Sequence, residues 1–114
     1  MKPLLVVDAA NVVGSVPDGW WRDRAGAAER LRDALRGRDE EVVLVVEGKA
    51  RTISSVDDVR VVAASGTGDD KIVEVVRAEG AGRPVTVVTA DRELRRRVTA
   101  LGAEVAGPTS VPRR

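Results

Sequence analysis

Leu4-Leu5-Val6-Val7-Asp8-Ala9-Ala10-Asn11 decides the reading of this chain: an aliphatic run after Pro3 that breaks off at a carboxylate and, three residues on, at a carboxamide. A Leu/Val run without polar alternation suits a strand buried on both faces, the habit of central strands in parallel sheets. Two further stretches repeat the design. Residues 41–47 carry Val42-Val43-Leu44-Val45-Val46 up to Glu47, and residues 85–89 lead to Asp91 just past their end. Residues 59–64 read as a shorter strand, and residues 104–106 as a brief strand at the edge.

The segments between these runs change period. Ala28, Leu31 and Leu35 recur at helical spacing within residues 23–36, with Gly37 as the stop. Ile72, Val75 and Val76 mark a helix opened by Asp69-Asp70-Lys71, and Leu94, Val98 and Leu101 mark another that starts at Asp91. Residues 12–22 hold Gly14, Ser15, Pro17, Asp18 and Gly19 and read as a surface loop. Residues 48–58 lack a sustained period and are expected to be a loop with one helical turn. Strands alternating with helices at this rhythm predict one three-layer α/β domain over residues 1–107, with a mainly parallel sheet of four to five strands. Residues 108–114, ending in Arg113 and Arg114, read as a tail.

Composition narrows the chemistry. The 114 residues contain no Cys and no His, no Phe and no Tyr, and the two Trp are adjacent at Trp20 and Trp21. The core must therefore be aliphatic. Thiol, imidazole and Ser-His-Asp mechanisms are excluded, which leaves carboxylates as the chemical tools and hard cations as their partners. With 19 Lys plus Arg against 18 Asp plus Glu, any grip on polyanions has to be local. No apolar run approaches the length of a membrane span, and a soluble, cytoplasmic protein is expected.

Asp8, Glu47 and Asp91 all end strands, and Asp69 and Asp70 open a helix after the third strand. In a parallel sheet these ends share one rim, where ligands of open α/β sheets bind. Crossover rules place the fourth strand beside the first, so that Asp8 and Asp91 become neighbours. Acids gathered this way repel one another unless a cation or a proton is shared. Asp69, Asp70 and Asp91 also stand where helix caps belong, and Glu47 has Lys49 and Arg51 at hand for pairing.

The pattern Val6-Val7-Asp8-Ala9-Ala10-Asn11, then Asp69-Asp70-Lys71-Ile72, then Val87-Val88-Thr89-Ala90-Asp91-Arg92-Glu93-Leu94 resembles the NYN domains, a branch of the PIN-like metal-dependent ribonucleases. The resemblance implies a Rossmann-like (PIN-like) fold and hydrolysis of RNA with Mg²⁺ or Mn²⁺. It implies metal ligands at Asp8, at Asp69 or Asp70, and at Asp91, with Glu47 where the family often has Asp. Asn11 matches a residue that orients the first Asp or contacts the scissile phosphate. Ala9 departs from the Gly usual in the family.

The cluster Arg92, Arg95, Arg96, Arg97 offers phosphate contacts through Arg92 and Arg96, with Lys49 and Arg51 beside them, or else a solvated helix face in which Glu93 pairs with Arg97. One Trp of the pair suits stacking on an unpaired base, and packing over the first long helix is the alternative. Ser65-Gly66-Thr67-Gly68 is no Walker loop, because Asp69-Asp70 stands where Lys and Ser/Thr belong. The expectation is a ribonuclease acting on single-stranded RNA, with a homodimer allowed. A phosphohydrolase of nucleotides or small phosphates, and a non-catalytic RNA- or nucleotide-binding module, remain as alternatives. A salt bridge from Asp8 to Arg22 or Arg51 would favour the last.

Overall fold

A computed structural model describes residues 1–112, so Arg113 and Arg114 lie outside the described residues. Five strands form one parallel sheet in the order β3-β2-β1-β4-β5: β1 Leu4–Asp8, β2 Glu41–Val46, β3 Val59–Ala63, β4 Val85–Val88 and β5 Glu104–Ala106. The aliphatic run of residues 4–8 is the central strand, flanked by β2 and β4, which explains why it needs apolar side chains on both faces. After β1 the chain builds β2 and β3 on one side, then crosses to β4 on the other. The reversal lies between β1 and β4, and Asp8 stands at that switch point.

Four helices cover the two faces: α1 Ala9–Val13, α2 Arg24–Ala34, α3 Gly68–Glu79 and α4 Arg92–Thr99. Strand alternation sorts the core into two layers. Leu5, Val7, Val42, Leu44 and Val46 pack with Val12, Ala28, Leu31 and Leu35 on the α1/α2 side. Leu4, Val6, Val43, Val45, Val85 and Val87 pack with Ile72, Val76, Leu94 and Val98 on the α3/α4 side. Both layers are aliphatic, as the missing Phe and Tyr require.

Several expectations change. Residues 12–22 are not all loop: Asp8 accepts from the Asn11 N–H at 3.4 Å and opens α1, and residues 20–22 form a 3-10 turn. The β2–β3 connection keeps to expectation, a loop with the 3-10 turn Gly48–Thr52 and no crossover helix. It is tied to α2 by Asp58, which accepts from the Gly37 N–H at 2.6 Å and from Arg36 at 3.1 Å. Leu101 is 40 % exposed, because α4 ends at Thr99 and the chain turns at Gly102, whose φ of 92° is left-handed.

Residues 108–111 are not a free tail. A 3-10 turn, Pro108–Ser110, returns the chain to the sheet, and Val111 is buried in the α1/α2 layer. Val111→Ala is expected to cost about 1 to 2 kcal/mol in urea unfolding, while Pro112→Ala, at an exposed position, changes little.

Candidate active site

Strand parity sets which way the acids point. Asp8 shares the face of Leu4 and Val6, Glu47 that of Val43 and Val45, and Thr89 that of Val85 and Val87, so all three turn toward α3 and α4. Asp69 and Asp91 stand at the starts of those helices. The rim is thus built by three alternations meeting two helix N-termini.

Asp8 is only 5 % exposed, and Thr89 is fully buried beside it. Register explains the contact: β1 and β4 pair through Val7 and Val88, so the next residues are Asp8 and Thr89. The Thr89 hydroxyl donates to Asp8 Oδ2 at 2.9 Å, and Thr89 Oγ1 accepts from the Asp91 N–H at 3.1 Å. Asp91 Oδ1 in turn accepts from the Leu94 N–H at 2.8 Å and caps α4. Asn11 Oδ1 accepts from the Ala90 N–H at 2.8 Å, and Arg95 Nε donates to the Thr89 carbonyl at 2.8 Å. The β1–α1 and β4–α4 turns are therefore clamped by side chains. Thr89 escaped the sequence reading, although a hydroxyl ending an apolar strand one residue before Ala90-Asp91 is the signal that would have found it.

Burial pushes the Asp8 carboxyl from 3.8 up to about 6; the bonds from Thr89 and the Asn11 N–H oppose this, and the charges of Asp69 and Glu47 add to it. Asp69 is raised by its own desolvation, then by Asp91 and Glu47, with Arg97 opposing. Asp69 is thus the acid that links Asp8, Glu47 and Asp91 electrostatically. Asp70 adds to the charge felt by Asp69 but is exposed and pairs with Arg97 on α4 at 2.9 Å. Of the Asp69-Asp70 pair, Asp69 is the member that faces the rim.

Glu47 pairs with neither Lys49 nor Arg51. Its Oε2 accepts from the Gly68 N–H at 2.7 Å, filling the start of α3, while Arg51 Nε donates to the Gly48 carbonyl. Thr67 supplies the α3 cap, at a long 3.5 Å to the Asp70 N–H, in place of the two Asp expected there. Asp8 makes no ion pair with Arg22 or Arg51; the Arg22 guanidinium lies 5.9 Å from the Trp21 ring centre. Glu93 pairs with Arg96 rather than Arg97, on a fully exposed helix face. Arg92, Lys49 and Arg51 are exposed, Arg92 beyond Asp91 and the other two beyond Glu47. Arg92 thus follows the β4 acid, and Lys49 and Arg51 follow the β2 acid, on strands that lie on either side of β1.

A cleft of about 410 Å³ opens on the α1/α2 side of the same rim, lined by Ala9, Ala10, Trp20, Arg24, Glu47 and Ala50 among others. Trp20 is half-buried, its ring 5.5 Å from the Arg24 guanidinium and edge-on to Trp21 with ring centres 6.0 Å apart. Arg24 and the cleft were not foreseen, because they depend on how α2 meets the rim.

No family model matches the sequence, and no curated protein does. Solved structures do match. Two crystal structures of Rae1 (YacP) from Bacillus subtilis, one of them a single-substitution variant, superpose with TM-scores of 0.68 and 0.67 at 18% and 20% identity. The matches cover 93% and 96% of this chain and 69% and 71% of those chains. The fold is PIN-like: a Rossmann-like parallel sheet of five strands between two helical layers. Among the described residues no helix is long and apolar enough to cross a membrane.

A carboxyl that is harder to ionise folded than unfolded weakens the fold as pH rises. Between about pH 4 and 6 the folded state binds more protons at Asp8 than the unfolded state, so stability in EDTA should increase as pH falls from 7 toward 4, by roughly 2 to 3 kcal/mol from Asp8. Asp8→Asn should remove most of that slope in urea unfolding and melt above the wild type at neutral pH in EDTA. Thr89→Val, which leaves Asp8 and the Asp91 N–H short of a partner, should cost about 1 to 3 kcal/mol.

Proposed function

We propose that this chain is a metal-dependent phosphodiesterase acting on single-stranded RNA. The observation that carries the reading is Asp8: a carboxylate at the switch point, buried, held by Thr89, facing Asp69 and Glu47, and paired with no cation among the described residues. A purely structural Asp in such a place would sit against an Arg or Lys, or be replaced by a neutral residue. The resemblance to NYN domains supports the choice of RNA.

The donor set suits a hard cation with much of its water retained. Among the described residues no group of three or more acids is placed to hold a metal ion by itself. Mg²⁺ and Mn²⁺ sites that serve phosphate chemistry need only one or two carboxylates, with water and phosphate oxygens completing the shell. Asp8 and Asp69 would hold the ion, with Asp91 beside them. Both Asp8 oxygens accept one bond each, so each keeps a lone pair. When bound, the ion would lower the pKa of a water and neutralise phosphate charge.

The chain's own residues do the rest. Thr89 fixes the Asp8 carboxylate, and Asp91 divides its oxygens between the α4 cap and the rim. With Asn11 Oδ1 committed to the Ala90 N–H, its amide NH₂ is the group that can donate to a phosphate oxygen. Lys49, Arg51 and Arg92 supply the local positive charge that the near-neutral molecule otherwise lacks. Arg96, engaged with Glu93, contributes less.

Cleavage of an unstructured RNA should require Mg²⁺ or Mn²⁺, stop in EDTA, and be lost in Asp8→Asn; activity unchanged by excess EDTA would sink the metal-dependent reading. Nucleoside triphosphates assayed in parallel should stay intact, and turnover of these with RNA untouched would make the site a nucleotide hydrolase. Lys49→Ala with Arg92→Ala should reduce the salt slope of RNA binding by roughly 0.7 per charge removed, and Arg96→Ala by less.

A further inference from the structure

The cleft beside the acids has features the reaction at the rim does not use. It begins at Ala9 and Ala10, the residues that directly follow Asp8, and Glu47 belongs both to its lining and to the acid group. Much of its wall is Ala or Gly, at Ala9, Ala10, Ala28, Ala50, Gly48 and Gly66, which is what leaves it open. One wall is different: Trp20 and Arg24 stand together there, an indole ring and a guanidinium 5.5 Å apart.

Small residues around a flat aromatic and a planar cation make a slot for a flat, polarisable group, and the volume of about 410 Å³ lies in the range of small-ligand sites, roughly 300 to 1,000 Å³. Nucleobases stack on aromatic side chains and on Arg guanidinium planes. Glu47, an acceptor-only group at the boundary between slot and rim, suits the N–H edge of a base or a ribose 2′-hydroxyl. Arg24 offsets the acids for the adjoining phosphate. We propose that the Trp20/Arg24 cleft is a base-binding subsite that takes one unpaired nucleobase of the RNA whose phosphate lies at the Asp8 rim. A base inside a duplex is stacked and paired and cannot enter, so the slot selects single strands. This rests on the ribonuclease reading for the identity of the ligand, while the slot itself is tested without catalysis.

The test uses the full chain with Trp21→Phe, which leaves Trp20 as the only indole. Titration with hexauridylate in EDTA should quench Trp20 fluorescence saturably, and inorganic phosphate should not. Ala10→Leu, which fills the slot from an exposed helical position without emptying the core, should weaken hexauridylate binding about ten-fold at an unchanged urea midpoint. With Mn²⁺, Trp20→Ala should raise the KM for RNA roughly 5- to 100-fold with kcat nearly kept, and Trp20→Phe should restore most of it. Quenching lost in Ala10→Leu without any RNA cleavage by the wild type would overturn the ribonuclease reading and keep the subsite. Cleavage at wild-type KM in both Trp20→Ala and Ala10→Leu, or no quenching by hexauridylate, would overturn the subsite and leave the ribonuclease reading standing.

Discussion

The hydrogen bond from Thr89 to Asp8 joins the two strands that meet where the sheet reverses direction, and much else hangs from it. Taking a carboxylate out of water costs several kcal/mol unless its oxygens find donors, and here they find a hydroxyl and one backbone N–H. The same hydroxyl oxygen accepts from the Asp91 N–H, so a single Thr sets the distance between the β1 acid and the start of α4. Asn11 reaches across to Ala90 in parallel. Two turns that are 79 residues apart in the chain are thereby locked face to face. Burial nonetheless leaves the acid at the centre harder to ionise than in water, a cost to the fold at neutral pH.

The distribution of cations fits this. Arg83 is drawn to Glu41, Arg60 to Glu79 and Arg36 to Asp58, while Arg97, bonded to Asp70, also offsets the neighbouring Asp69. Most of these pairs are at least partly exposed and contribute little to stability individually. Their consequence is electrostatic: the charge nearly cancels over the whole molecule, while of the rim acids Asp8 has no ion-pair partner among the described residues and Asp69 feels only the partial offset of Arg97, which is bonded to Asp70. Lys49, Arg51 and Arg92 stay in solvent around them, where a polyanion would meet them first.

An all-aliphatic interior shapes the rim as well. Without large rings to fill gaps, helices approach the sheet through Val, Leu and Ala, and where α1 and α2 meet the rim the side chains are small enough to leave a cleft. The one aromatic side chain lining it, Trp20, comes from a connecting turn rather than the core. Connecting turns carry little of the packing and are free to carry recognition.

The residue pattern was enough to imply the parallel α/β architecture, because unbroken aliphatic runs ending in acids, separated by helical periods, suit strands buried on both faces by helices. The absence of imidazole and thiol also directed attention to the carboxylates as candidate site residues. Asp8, Glu47, Asp91 and the Asp69-Asp70 pair were legible as one set, because the strand ends of a parallel sheet, and the helix starts that follow them, share one rim. Tertiary structure alone decided which member of Asp69-Asp70 faces that rim, because the choice depends on α4 bringing Arg97 to Asp70. It alone made Thr89 the hinge of the site, because that role follows from the β1–β4 register and not from any local pattern. It alone folded Val111 back into the core and set Trp20 beside Arg24, since those contacts join segments whose own residues show no preference for each other.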